Sequence, residues 1–142
     1  MIGRAKRRIM KMFREFLVYH SDSLEFRAKV LTLAMASDNE YLSCKEKTLE
    51  KVAQMTYPND YNRAQLLTET VNEYIDTIKQ DNGLDYEHLI LSVEKEIKES
   101  RRFVDKIDTN LLELFQVCIE DEENKRYQQK VLNFLERLKK GI

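Results

Sequence analysis

The sequence predicts an all-α fold, a compact bundle of about seven helices, and three observations lead there. Only three Gly and one Pro occur in 142 residues, too few to turn the strands of a sheet protein of this size. Apolar residues recur at intervals of three and four from end to end, the mark of helices that each bury one face. Alternation at period two is nowhere sustained. A chain of this length forms a single domain, 1–142, and buries roughly 68–70% of the surface its unfolded form exposes, enough for a core without staples.

The first helix is expected over about Arg4 to Tyr19, with Ile9, Met12, Phe13, Phe16 and Leu17 on one stripe, so that residues 1–20 form a basic amphipathic start. Ser21-Asp22-Ser23 then recaps the chain, Asp22 and Glu25 standing at capping-box spacing. The second helix runs from about Leu24 to Ser37 on Phe26, Val30, Leu31, Ala34 and Met35. Ser43-Cys44-Lys45-Glu46 is a Ser-x-x-Glu box that opens a third, whose Leu49, Val52, Ala53 and Met55 face inward and which Pro58 ends. The fourth covers about Tyr61 to Lys79 on Leu67, Val71, Tyr74, Ile75 and Ile78, and Asn82-Gly83 turns the chain after it. The fifth, about Asp85 to Phe103, presents Ile90, Val93 and Ile97, with Val104 just beyond. Asp108-Thr109 caps a sixth with Leu111, Leu112, Phe115, Cys118 and Ile119 as its face. The seventh, about Glu123 to Lys140, uses Tyr127, Val131, Phe134, Leu135 and Leu138.

The formal charge of −1 hides a segregation. Arg4, Lys6, Arg7, Arg8, Lys11 and Arg14 put six positive charges and no acid into the first fourteen residues, leaving 18 basic against 25 acidic residues in the rest. An acidic body argues against bulk nucleic-acid binding, while the basic arm suits an anionic membrane surface. No run approaches the apolar length of a membrane span. Cys44 and Cys118 lack any CxxC or Cys/His grouping, so neither a zinc site nor a disulfide framework is expected, and the chain reads as cytoplasmic. Cys44, at a helix N-terminus, has a redox sensor as its functional alternative to an inert thiol, and Cys118 reads as packing. His20 and His88 are isolated. Glu69 to Glu99 holds nine acids and three bases, most simply the wet side of two helices.

Sliding the chain on itself by 83 places brings two helix-turn-helix units into register, residues 24–56 and 109–140. Leu31 to Asp38 followed by Leu49 and Val52 matches Leu114 to Asp121 followed by Leu132 and Leu135. Through "LTLAMASDNEYLSCKEKTLEKVA" and, more loosely, "LLELFQVCIEDEENKRYQQKVLNFLERL", the chain resembles the TerB-like domains, the helical family of tellurite-resistance TerB and the DjlA N-terminal domain. The family's Ala-Asp-Gly is here Ser37-Asp38-Asn39. Glu46 lies one position further from Asp38 than the usual spacing, and Gln128 and Gln129 stand where the second unit's Glu belongs.

That resemblance implies an acidic cluster able to hold a divalent cation such as calcium, drawn from Asp38, Glu40, Glu46 and Asp121 with Glu122 or Glu123 assisting. A hard cation of this kind takes about six to eight oxygen ligands. Capping and turn chemistry account for the same residues without an ion, and then there is no cofactor at all. No nucleophile, base and oxyanion donors can be grouped, so no enzyme is expected. The resemblance therefore implies a non-enzymatic, stress-associated interaction module with a protein partner. The alternative is a nucleic-acid or anionic-membrane-surface binder acting through the basic first helix, at the inner face of the membrane. The partner's identity and the oligomeric state are not legible.

Overall fold

The computed structural model describes residues 22–36, 43–80 and 84–141. Among them there is no strand, and the protein is an all-α bundle. Six α-helices, α1 (Asp22–Met35), α2 (Ser43–Thr56), α3 (Tyr61–Gln80), α4 (Leu84–Glu99), α5 (Thr109–Leu112) and α6 (Glu122–Lys140), are joined by two 3-10 helices, η1 (Arg101–Lys106) and η2 (Glu113–Cys118). The expected basic helix over about 4–19 lies outside the described residues, as does the Asn82-Gly83 turn.

Helix α1 is the axis of the bundle. Leu24, Phe26, Ala28, Val30, Leu31, Leu33, Ala34 and Met35 are all buried, so this helix is apolar nearly all round, as a helix enclosed by others must be. Its one buried hydroxyl, Thr32, donates to the Ala28 carbonyl at 2.7 Å. It packs most extensively on α3 and also on α4, η1 and α6, while α2 lies against α3 and η2. Helix α3 buries Ala64, Leu67, Val71 and Ile75 at helical spacing. Its start is fixed by Asp60, whose carboxylate accepts the Arg63 amide at 3.0 Å, a side-chain N-cap directly after the Pro58 turn.

Four expectations need correcting, the first being Met55 on α2, expected to face inward and 52% exposed. The fifth helix ends at Glu99 and not near Phe103, because Ser100 is extended (φ −146°, ψ 97°) and the chain restarts as η1. This swings the Phe103 ring onto Phe26, stacked at 4.9 Å between centroids with the planes 16° apart. The sixth helix is a single α turn, capped as expected by Asp108, whose carboxylate accepts the Leu111 amide at 3.3 Å, followed by η2. A 3-10 helix repeats every three residues, which lines up Leu112, Phe115 and Cys118, all buried. On α6 Val131, Leu135 and Leu138 are buried as expected and Gln128 and Leu132 join them, whereas Tyr127 is 45% exposed.

Helix α6 ends at Gly141, in the left-handed conformation at φ +79°. Arg101 closes that end, its two terminal nitrogens donating to the Leu138 and Lys139 carbonyls at 3.0 Å each. Among the described residues, no helix is long and apolar enough to cross a membrane.

Candidate functional site: the buried end of α1

The last carbonyls of a helix have no partner within it, and burying them unpaired is costly. Helix α1 ends inside the bundle, and its terminal carbonyls are met by one side chain from each of three other helices. The Tyr86 hydroxyl on α4 donates to Leu33 O at 2.9 Å. Gln128 Nε2 on α6 donates to Ala34 O at 2.9 Å. Lys45 Nζ on α2 donates to Met35 O at 2.9 Å.

Each donor is buried, and burial acts on each according to its charge. Lys45 is 3% exposed, and burial, helped by the positive charge of Lys79, lowers its ammonium to about 8. A cation at a helix C-terminus is favoured by the dipole, which offsets part of that cost. Burial pushes the Tyr86 phenol up, with Tyr127 adding to the shift, so it stays a proton donor. Gln128 is neutral and 0% exposed. Its Oε1 is buried without a hydrogen-bond partner among the described residues.

Beside this closure the structure overturns the expectation for the cysteines. Cys44 and Cys118, 74 residues apart, form a disulfide with Cα atoms 5.6 Å apart. The signal missed was distance in sequence: the partner of Cys44 lay in the other repeat unit, where a local pattern cannot find it. The bridge sets the start of α2 against the end of η2. It also removes the argument from unpaired thiols to a reducing compartment.

Of the acidic residues expected to gather a cation, Asp38 and Glu40 lie outside the described residues. Glu46 is exposed in the first turn of α2. Asp121 is exposed at the N-cap of α6 and makes no side-chain cap hydrogen bond. Among the described residues, no three His, Cys, Asp or Glu side chains group as a metal site. The spacing usual in the TerB-like family falls on Lys45 and Gln128, and both aim N–H donors at the end of α1. A hard cation needs oxygen acceptors, so Lys45 does not fit one, and Gln128 could offer only its single neutral Oε1. The basic residues Arg4, Lys6, Arg7, Arg8, Lys11 and Arg14 all lie outside the described residues. His88 is exposed on α4.

Helix α2 also forms a ridge between two clefts, each of about 240 Å³. One, against α3, is lined by Glu50, Ala53, Gln54, Tyr61, Gln65 and Glu69. The other is floored by Val30, Leu31 and Leu112 and edged by Arg27, Met55 and Asp105. Tyr61 is 72% and Met55 52% exposed. Above the second cleft the Arg27 guanidinium lies over the Tyr57 ring at 5.3 Å, with that of Arg63 at 5.7 Å from the same ring. Compared with known family models, curated proteins and solved structures, the chain has no match.

Proposed function

We propose that this chain is a non-enzymatic helical interaction module of the TerB-like kind, which docks a protein partner along the α2 ridge. The observation that carries the proposal is the pairing of clefts on both flanks of α2 with large apolar side chains left in water, Tyr61 and Met55. Exposed aromatic and methionine side chains beside a concave surface are the usual anchors of protein contacts. With Glu50 and Glu69 on the α3 side, the partner segment that suits this face is basic and amphipathic.

Kinship with TerB-like domains is supported by three pairs of positions related by the 83-residue shift. Leu49 and Leu132 are both buried, as are Val52 and Leu135, and Lys45 and Gln128 both close the end of α1. The leading arms of the two units differ, one a 14-residue α-helix and the other a single turn followed by η2. A role in tellurite resistance or another stress response follows from that kinship alone. A cytoplasmic address, peripheral to the inner face of a membrane, belongs to the same proposal.

Site-specific photo-crosslinking in cells tests the docking face. A crosslinker at position 61 or 65 should give a discrete adduct that one at exposed position 137 does not. Equal labelling at all three would reject it. The second reading, an anionic-membrane or nucleic-acid binder acting through Arg4, Lys6, Arg7, Arg8, Lys11 and Arg14, rests on the segregation of charge. Vesicle flotation that depends on residues 1–14 and weakens with salt would favour it over docking at α2.

A further inference from the structure

We propose that the Cys44–Cys118 bridge is a reducible lock on the α5–η2 segment, opened by a thiol that attacks the Cys44 sulfur. The two sulfurs sit in unlike surroundings. Cys44 is partly exposed at the second residue of α2, whereas Cys118 is 3% exposed. A thiolate arriving from solvent therefore reaches Cys44 first. The leaving-group effect runs the other way, because the N-terminus of α2 stabilises a departing Cys44 thiolate better than an apolar setting stabilises that of Cys118. That preference amounts to roughly a few-fold in rate, while in-line attack on a buried sulfur first requires local opening, so access decides.

Attack at Cys44 forms a mixed disulfide and releases Cys118 as a thiolate. When the reductant is a dithiol, its second sulfur then displaces Cys44. The dithiol is oxidised to a disulfide, and its two electrons and two protons leave Cys44 and Cys118 as thiols. The released thiol has a partner waiting. Thr48 Oγ1 lies 3.5 Å from Cys118 Sγ and already donates its own proton to the Cys44 carbonyl at 2.8 Å, leaving a lone pair to accept the new S–H.

Opening the bridge acts on a short, irregularly wound segment. Helix α5 is one turn, and η2 has the poorer hydrogen bonds of a 3-10 helix. The bond closes a long loop, so its loss also widens the unfolded ensemble. A reducing compartment would hold this segment loose and an oxidising one would hold it fixed. The inference stands on the bridge and its surroundings, independent of the docking face.

The test uses the full-length chain under native conditions. Glutathione with rapid acid quench, followed by peptide mass analysis, should place the mixed disulfide on Cys44 at least about ten-fold over Cys118. Complete reduction by dithiothreitol should raise amide exchange of residues 109–121 about ten-fold, leave α3 and α4 unchanged, and lower the melting temperature by on the order of 10 °C. The Cys44→Ala/Cys118→Ala double variant should show the exchange of the reduced protein and ignore dithiothreitol. Mixed disulfide on Cys118, a bridge that yields only when the protein unfolds, or unchanged exchange after reduction would each overturn the proposal. A dithiothreitol response in the double variant would do the same.

Discussion

Lys45 and Gln128 stand 83 residues apart, on α2 and α6, and donate to neighbouring carbonyls at the end of one helix, Met35 O and Ala34 O, each at 2.9 Å. The 83-residue shift seen in the sequence relates the two positions, one charged and one neutral. Two helices distant in sequence thus close the end of α1 from separate sides. The difference in charge makes the two residues respond differently to substitution and to pH.

Lys45→Met keeps the aliphatic stem and removes the ammonium. At pH 7 two effects compete: losing the donor to Met35 O costs about 1–3 kcal/mol, and no longer burying a charge returns about 3 kcal/mol, from a fall of the ammonium from 10.5 to about 8. The variant is therefore near neutral at pH 7. The sign of the pH effect follows from the lowered folded-state value. Between about 8 and 10.5 the unfolded chain binds more protons than the folded one, so wild-type stability from this group rises with pH through that window. Urea unfolding at pH 7 and pH 10.5 should show Lys45→Met unchanged at the first and destabilised by about 1–3 kcal/mol at the second. A constant difference from wild type would show that burial does not set the proton affinity of Lys45.

Calcium should not stabilise the fold. Of the two positions the TerB-like resemblance assigns to carboxylates, Lys45 carries no acceptor and Gln128 offers a single neutral amide oxygen, against the about six to eight oxygens that calcium takes. Differential scanning calorimetry with millimolar calcium should leave the melting temperature within about 1 °C, since a ligand that binds appreciably at that concentration raises it. A rise of several degrees would mean that acceptors from elsewhere complete a site.

Removing the Phe103 ring separates the role of η1 from that of the main helices. Phe103 is 5% exposed and stacked on Phe26, so Phe103→Ala should cost about 3–5 kcal/mol, within the range for deleting a buried aromatic. Chemical denaturation measures it directly. A cost below about 1 kcal/mol would place η1 outside the core.

Most of the bundle was legible because most of it obeys the 3.6-residue period. The stripes Val30, Leu31, Ala34 on α1 and Leu67, Val71, Ile75 on α3 are buried as that spacing requires. Reading failed where another rule took over. Leu112, Phe115 and Cys118 follow a period of three, so a helix was expected where one turn and η2 stand. Gln128 was passed over because an apolar pattern counts an amide as a surface residue, and Tyr127 was given its place. For the candidate site, Glu46 drew attention as a carboxylate, whereas its neighbour Lys45 is the one that reaches α1. Nothing local in the sequence distinguishes a lysine that snorkels to solvent from one that closes a buried helix end. The disulfide was hidden for a related reason, since its two cysteines become neighbours only once the two units have packed.

The enclosure of α1 by opposed side chains is tested most directly by urea unfolding at pH 7 of two single variants, Gln128→Leu and Gln129→Leu. Gln128 is fully buried and holds Ala34 O, whereas Gln129 is exposed and, among the described residues, bonds to Gln116 and Asn133. Gln128→Leu should lose about 0.5–1.5 kcal/mol with its buried hydrogen bond to Ala34 O, and Gln129→Leu should stay within about 0.5 kcal/mol of wild type. Equal effects, or a larger loss at 129, would contradict it.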